Sequence, residues 1–140
     1  MSPATAWSPP REWRESATRC AALCWAQAGH PPPLVVSDGE ARLLSRPPGL
    51  PLGTVPTAEY SLAEDELRPG DVVFLYTDGL IERRDRDIDD GLSALLAAAR
   101  DWRGESTEEA VGALLDRLDP PVAEDDVCLL AVRVAPDSRP

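Results

Sequence analysis

The fold of this chain is decided by the stretch Pro69-Gly70-Asp71-Val72-Val73-Phe74-Leu75-Tyr76-Thr77-Asp78-Gly79. Residues 72–77 are largely apolar on both faces of an extended chain, so they predict a central strand that is covered on both sides. The apolar run stops abruptly at Asp78, and Gly79 ends the strand. A carboxylate is therefore expected at one tip of a buried strand.

A second acidic pair stands at the start of another apolar run. Asp125 and Asp126 come immediately before residues 127–134, which predict the last strand. Two strands that each carry a carboxylate at one end are the minimum for a divalent-cation site at the rim of a sheet. Oxygen ligands of this kind suit hard ions such as Mg²⁺ or Mn²⁺.

The segments around these two strands alternate between short apolar runs and turn residues. The pattern predicts strands at residues 23–28, 34–36, 41–44 and 59–67, and helices over residues 89–103 and from Ser106 to Leu118. Ser37-Asp38-Gly39-Glu40 is typical of a tight hairpin turn, and Ser106-Thr107-Glu108-Glu109 of a helix capping box. The order of strands, two helices and one strand indicates an α+β fold, an antiparallel sheet with helices packed on one side.

Length and charge set further limits. The chain has 140 residues, which fits one domain, and a formal net charge of −11. Such acidity disfavours nucleic acid and anionic membrane surfaces as partners. No apolar run approaches the roughly 18 residues that span a bilayer. The chain contains three cysteines and no secretory signal pattern, so we expect a reduced, cytoplasmic setting.

Five segments, in the same order along the chain, resemble one protein family. They are Ala28-Gly29-His30-Pro31-Pro32-Pro33-Leu34, Gly49-Leu50-Pro51-Leu52-Gly53, Leu67-Arg68-Pro69-Gly70-Asp71, Leu75-Tyr76-Thr77-Asp78-Gly79-Leu80-Ile81-Glu82 and Asp125-Asp126-Val127-Cys128-Leu129-Leu130. Together they are similar to the metal-dependent PPM-type (protein phosphatase 2C-like) phosphatases, and within these to the bacterial SpoIIE-like branch. Each segment alone is a weak signal, whereas five in order are specific.

The resemblance implies both a fold and a chemistry. The fold would be an antiparallel β-sandwich, two sheets packed face to face, flanked by helices. The activity would be removal of phosphate from phosphoserine or phosphothreonine by water that two Mn²⁺ or Mg²⁺ ions activate. Asp78 matches the family's aspartate of the Asp-Gly pair and Asp125 its last metal ligand, with Asp126 as the fallback. Gly79 would shape the site by allowing close packing beside the ions.

The sequence departs from the family upstream of Ala28. The family's first metal motif, an acidic residue in a Gly-Asp-x-x-Gly-x-Gly type segment, has no match in residues 1–27. We therefore expect a domain truncated at its N-terminal side. Residues 1–19 would be a disordered or unrelated leader, residues 20–135 a partial phosphatase domain, and residues 136–140 a tail. In the family, the aspartate of that motif bridges the two ions, so without it metal binding would be weak or partial.

Two functions remain open. In the first, the chain is a serine/threonine phosphatase domain whose substrate is a small phosphorylated regulatory protein, as in sigma-factor partner switching. In the second, it is a catalytically incomplete remnant or a regulatory binding module that self-associates through exposed sheet edges. Structural interpretations also remain for the acidic residues, because Asp78-Gly79 is typical of a simple turn and Asp125-Asp126 of a solvated charge pair.

Overall fold

A computed structural model describes residues 20–45, 47, 49–82, 87–104, 106–118 and 126–136. The elements, in chain order, are β1 (Ala21–Ala26), β2 (Leu34–Ser37), β3 (Glu40–Leu43), β4 (Leu62–Leu67), β5 (Val72–Tyr76), a 3₁₀ helix (Asp78–Leu80), α1 (Ile88–Ala99), α2 (Thr107–Leu118) and β6 (Leu129–Arg133). Neither α-helix of this described part is long and apolar enough to cross a membrane. The prediction for residues 1–19 lies outside the described residues.

The main sheet has four antiparallel strands in the order β3-β2-β5-β6. Strand β5 is central, as its apolar pattern predicts, and pairs with β2 through Leu34 opposite Phe74. On its other side β5 pairs with β6, with Tyr76 opposite Leu129. Strands β5 and β6 are antiparallel, so the last residue of β5 and the first residue of β6 lie at the same end of the sheet.

The two helices cover one face of this sheet. Side chains that alternate along β2 and β5 form a buried cluster with the helices, because residues two apart point to the same face. The cluster includes Leu34, Val36, Val72, Phe74, Tyr76, Leu80, Ile81, Leu95, Ala99, Ala110 and Leu114. Helix α2 begins after Ser106, whose Oγ accepts hydrogen bonds from the backbone N–H groups of Glu108 and Glu109. The predicted N-cap is therefore confirmed.

A second, two-stranded sheet covers part of the other face. Strands β1 and β4 pair antiparallel, with Ala21 opposite Leu67. Val35 and Val73 of the main sheet form a second buried cluster with Leu44 and Leu67. The molecule thus has two antiparallel sheets packed face to face, with helices on the outside of the larger one. The predicted fold class is confirmed.

Two expectations need correction. Strand β5 is not covered along its whole length, since Leu75 has 43% of its surface exposed. Helix α1 ends at Ala99 rather than at residue 103. Arg100 is extended, with ψ 152°, and Asp101 has a left-handed backbone with φ 62°, which a continuing helix cannot accommodate.

Candidate metal centre

Asp78 stands at the exposed tip of the central strand. Strand β5 ends at Tyr76, and Thr77 remains extended, with φ −83° and ψ 158°, before the chain turns into the 3₁₀ helix. The backbone N–H of Gly79 donates to Oδ1 of Asp78 over 3.0 Å. Asp78 is exposed to solvent, so its carboxylate oxygens are accessible to a cation.

Thr77 fastens this tip to the start of the neighbouring strand. Its backbone N–H donates to the carbonyl oxygen of Cys128 over 3.1 Å. Its Oγ1 donates to the carbonyl oxygen of Asp126 over 3.0 Å and accepts from the backbone N–H of Cys128 over 2.9 Å. We call this set of three hydrogen bonds the Thr77 clamp. The hydroxyl group suits it because it is both donor and acceptor.

The clamp places two of the predicted ligands, Asp78 and Asp126, at the same end of the sheet. Asp78 follows Thr77 directly, and Asp126 is itself held by the Thr77 hydroxyl, so the two aspartates flank the same clamp at one end of the sheet. Asp125, the preferred ligand on the β6 side, lies outside the described residues. Gly79 has no positive φ, so its backbone angles do not require glycine. Its contribution seen here is the amide that contacts Asp78.

The proline-rich loop after β1 borders the same end of the sheet. The hydroxyl of Tyr76 donates to the carbonyl oxygen of Pro32 over 2.8 Å, and Nε2 of Gln27 donates to the carbonyl oxygen of His30 over 2.7 Å. A Cβ on Gly49 would lie 2.0 Å from the Gln27 carbonyl oxygen, so only glycine permits this approach. The loop after β1 is therefore held at the end of β5 that carries Tyr76.

Helix α1 supports the 3₁₀ turn from behind. The backbone N–H groups of Ile81 and Glu82 both donate to the Asp78 carbonyl oxygen, over 2.8 and 2.7 Å. A Cβ on Gly91 would lie 2.1 Å from the Ile81 carbonyl oxygen. Glycine at this helix position thus lets α1 rest directly on the backbone that follows Asp78, and the turn is positioned by packing as well as by hydrogen bonds.

The described residues do not form a metal centre by themselves. Within them, no group of three or more His, Cys, Asp or Glu side chains is close enough to hold an ion. A dication held by oxygen ligands needs several of them, and Asp78 and Asp126 are two carboxylates from different strands. This arrangement is chemically suited to contribute to a hard-cation site to which other ligands are added.

Thr77 is the residue of this region that the sequence pattern did not single out as functional. It was expected only as the last position of an apolar strand. The available signal was the hydroxyl of Thr77, directly before Asp78. Burying a hydroxyl group is unfavourable unless it has a hydrogen-bond partner, so a threonine at the end of a buried strand indicates such a partner.

Substitution of Thr77 tests the clamp. A Thr77→Val variant keeps the side-chain shape but leaves the Asp126 carbonyl and the Cys128 amide without their partner, so we expect about 1 kcal/mol lower stability toward urea. Hydrogen exchange at the Cys128 amide should accelerate. A Thr77→Ser variant keeps the hydroxyl and should retain slow exchange. Equal protection of Cys128 in the valine and serine variants would contradict the clamp.

Comparison with known proteins supplies a family for this geometry. The family model for stage II sporulation protein E (SpoIIE) matches residues 18–135. Among solved structures, the RsbU and RsbW domains of a Mycobacterium tuberculosis protein match with 33% identity and a TM-score of 0.65, covering 82% of this chain. The PP2C phosphatase domain of SpoIIE from Bacillus subtilis, solved with a fragment of its regulatory domain, matches with 16% identity and a TM-score of 0.67, also covering 82%.

These structures are longer than the present chain. The match covers 34% of the M. tuberculosis chain and 35% of the B. subtilis chain with the regulatory fragment. Against the B. subtilis phosphatase domain solved alone it covers 55%, with 14% identity and a TM-score of 0.63. The chain therefore spans a third to about half of the solved proteins that it resembles.

Proposed function

The chain belongs to the SpoIIE family of PPM-type phosphatases, and on that premise we propose that it contributes the Asp78 side of a metal-dependent serine/threonine phosphatase site. Its metal ligands are Asp78 and Asp125, with Asp126 as the alternative. The observation that supports this most is the Thr77 clamp, which joins the tips of β5 and β6 where both acidic segments stand.

The chain's own groups have defined roles in this proposal. The carboxylate of Asp78 and one of the acidic pair offer oxygens to Mn²⁺ or Mg²⁺ from two neighbouring strands. The Gly79 amide, which donates to Asp78 Oδ1, restricts the rotation of that carboxylate. When bound in pairs, such ions activate water and neutralise charge on a phosphoryl group. One structure of the B. subtilis phosphatase domain comes from Mn-presoaked crystals, in keeping with this choice of ion.

The substrate class follows from the family. We propose a small phosphorylated regulatory protein of the partner-switching type, acted on in the cytoplasm. The test uses the purified chain with a generic phosphate ester and with phosphoserine peptides, in millimolar Mn²⁺ and in EDTA. Hydrolysis that requires Mn²⁺ supports the proposal. The absence of any Mn²⁺-dependent hydrolysis would exclude catalysis by this polypeptide acting alone.

A second candidate function, self-association as a binding module, is favoured by the uncovered part of the main sheet. Leu75, Leu130 and Val132 are 43%, 53% and 49% exposed. Leu75 is opposite Leu130 in the strand register, and Val132 lies two residues further along β6, so all three share one face. Strand β6 is also at the edge of the sheet in the described residues. Exposed apolar strips beside open edges favour pairing with another copy.

This self-association is measurable by sedimentation velocity over a range of protein concentrations. We expect a concentration-dependent increase in mass for the wild-type chain and a shift toward monomer for Leu130→Gln. Leu62→Gln is the matched control, because Leu62 is 64% exposed but lies in the smaller sheet. A wild-type chain that stays monomeric throughout, or an equal effect of both substitutions, would rule out association through β6.

A further inference from the structure

A cavity of about 250 Å³ opens at the end of the main sheet opposite to Asp78. Its walls come from three connections and one strand end: the β2–β3 turn at Asp38 and Gly39, the β4–β5 turn, the segment 102–104 after α1, and Arg133 of β6. Asp71 precedes strand β5 and Asp78 follows it. The cavity and the candidate metal centre are therefore separate sites.

Hydrogen bonds between the walls preform this cavity. The backbone N–H of Asp101 donates to the Gly39 carbonyl oxygen over 2.9 Å, and Nη1 of Arg103 donates to the Asp38 carbonyl oxygen over 2.7 Å. Arg133 donates to the carbonyl oxygens of Gly70 and Gly104 over 3.3 and 2.5 Å. The walls are thus joined in pairs, so little ordering would accompany ligand binding.

Three arginines are among the residues that line the cavity: Arg68, Arg103 and Arg133. The one ion pair found among the described residues joins Arg42 to Asp65, so none of the three is paired with a described carboxylate. Asp38 and Asp71 also line the cavity. The Asp71 carboxylate already accepts from the Ser37 hydroxyl over 2.6 Å and from the Arg68 backbone N–H over 2.8 Å.

Arg133 has one donor without a partner among the described residues. Its guanidinium lies 5.4 Å from the centre of the Trp102 ring, which holds the group in one orientation. Its two Nη atoms donate to backbone carbonyls. Its Nε is buried and lacks a hydrogen-bond partner within the described part of the chain. A buried donor without a partner is uncommon, and it belongs to a residue that lines the cavity.

We propose that this cavity binds a small oxyanion, of the size of phosphate, through Arg68, Arg103 and Arg133. Guanidinium groups present several N–H donors in a plane that matches the oxygens of phosphate and carboxylate groups. The three arginines outnumber the two aspartates of the cavity, so an anion is attracted once it is close to them. At longer range it is repelled by the chain, whose net charge is −11. Val36 and Trp102 also line the cavity, and their apolar side chains could contact a small organic group attached to the oxyanion.

The test is isothermal titration of the purified chain with inorganic phosphate, and in parallel with acetate, in EDTA-containing buffer. The chelator keeps divalent ions away from Asp78, so the outcome does not depend on the proposed phosphatase function. The variant is Arg68→Ala, whose side chain lies on an exposed turn. The matched control is Arg100→Ala, an exposed arginine that does not line the cavity and removes the same charge.

We expect saturable phosphate binding that Arg68→Ala weakens about tenfold, as loss of one charge-assisted contact would, and that Arg100→Ala leaves unchanged. Stronger binding of phosphate than of acetate assigns a phosphoryl ligand, and equal binding a carboxylate. Should Arg68→Ala not fold, Arg103→Ala replaces it. No saturable binding by the wild-type chain, or equal weakening by the cavity and control variants, would overturn the proposal.

Discussion

An Asp78→Asn variant is expected to lose Mn²⁺-dependent hydrolysis by about a hundredfold or more, because a neutral amide replaces a charged ligand of the same shape. The side chain is exposed at a strand tip, and its backbone is fixed by hydrogen bonds of Ile81 and Glu82 to its carbonyl oxygen. The fold should therefore survive. Comparison of kcat and of Mn²⁺ affinity for the variant and the wild-type chain measures the loss.

Asp116→Asn is the matched control for this substitution. Asp116 is an exposed residue of α2. Its substitution removes the same charge at a position away from the sheet tip, so hydrolysis and Mn²⁺ binding by this variant should be unchanged. Asn variants of Asp125 and Asp126 then show which of the pair is the second ligand, since only the ligand should reproduce the Asp78 defect. Unchanged Mn²⁺ binding by Asp78→Asn, measured by titration, would remove Asp78 from the metal centre.

The second large effect is expected for Gly91→Ala. Its new Cβ would lie 2.1 Å from the carbonyl oxygen and 3.2 Å from the Cβ of Ile81. Ile81 is buried, and the closest atom belongs to its backbone, so helix α1 and the 3₁₀ turn must separate. Overpacking of this kind costs about 3 kcal/mol, which outweighs the roughly 1 kcal/mol that alanine gains over glycine in a helix.

Gly112→Ala provides the opposite expectation in the other helix. A Cβ at Gly112 would meet no atom within 4 Å, so only the helix-propensity gain remains, and stability should increase by about 0.5–1 kcal/mol. Urea denaturation of both variants gives the two signs directly. Stabilisation by Gly91→Ala as well would mean that α1 does not rest on the Ile81 backbone.

The sequence predicts those parts of the fold whose determinants are local. The run of residues 72–77 marks the central strand because its apolar residues need cover on both faces. The Asp38-Gly39 turn is equally local, since both residues have positive φ, 51° and 83°, a conformation that aspartate and glycine tolerate. The position of Asp78 at a strand tip follows from the same reasoning. Its placement beside the acidic segment before β6 was implied by the family resemblance, not by local sequence.

Features that depend on tertiary contacts were not predictable in this way. The apolar spacing of α1 gives no reason to stop at Ala99. The chain leaves the helix there because Asp101 and Arg103 bind the backbone of the β2–β3 turn. Likewise, the exposure of Leu75 depends on what packs over that face of the sheet. The role of the Thr77 hydroxyl depends on which strand pairs with β5.

Strand β5 carries the candidate metal centre at one tip and the arginine-lined cavity beside the other. Asp78 follows Asp71 by seven positions, which in an extended strand is about 23 Å. Four of the five β5 residues are buried, and its amides are expected to exchange only through global unfolding of the domain. Both ends then belong to one cooperative unit, so denaturant should abolish metal and anion binding at a single common midpoint.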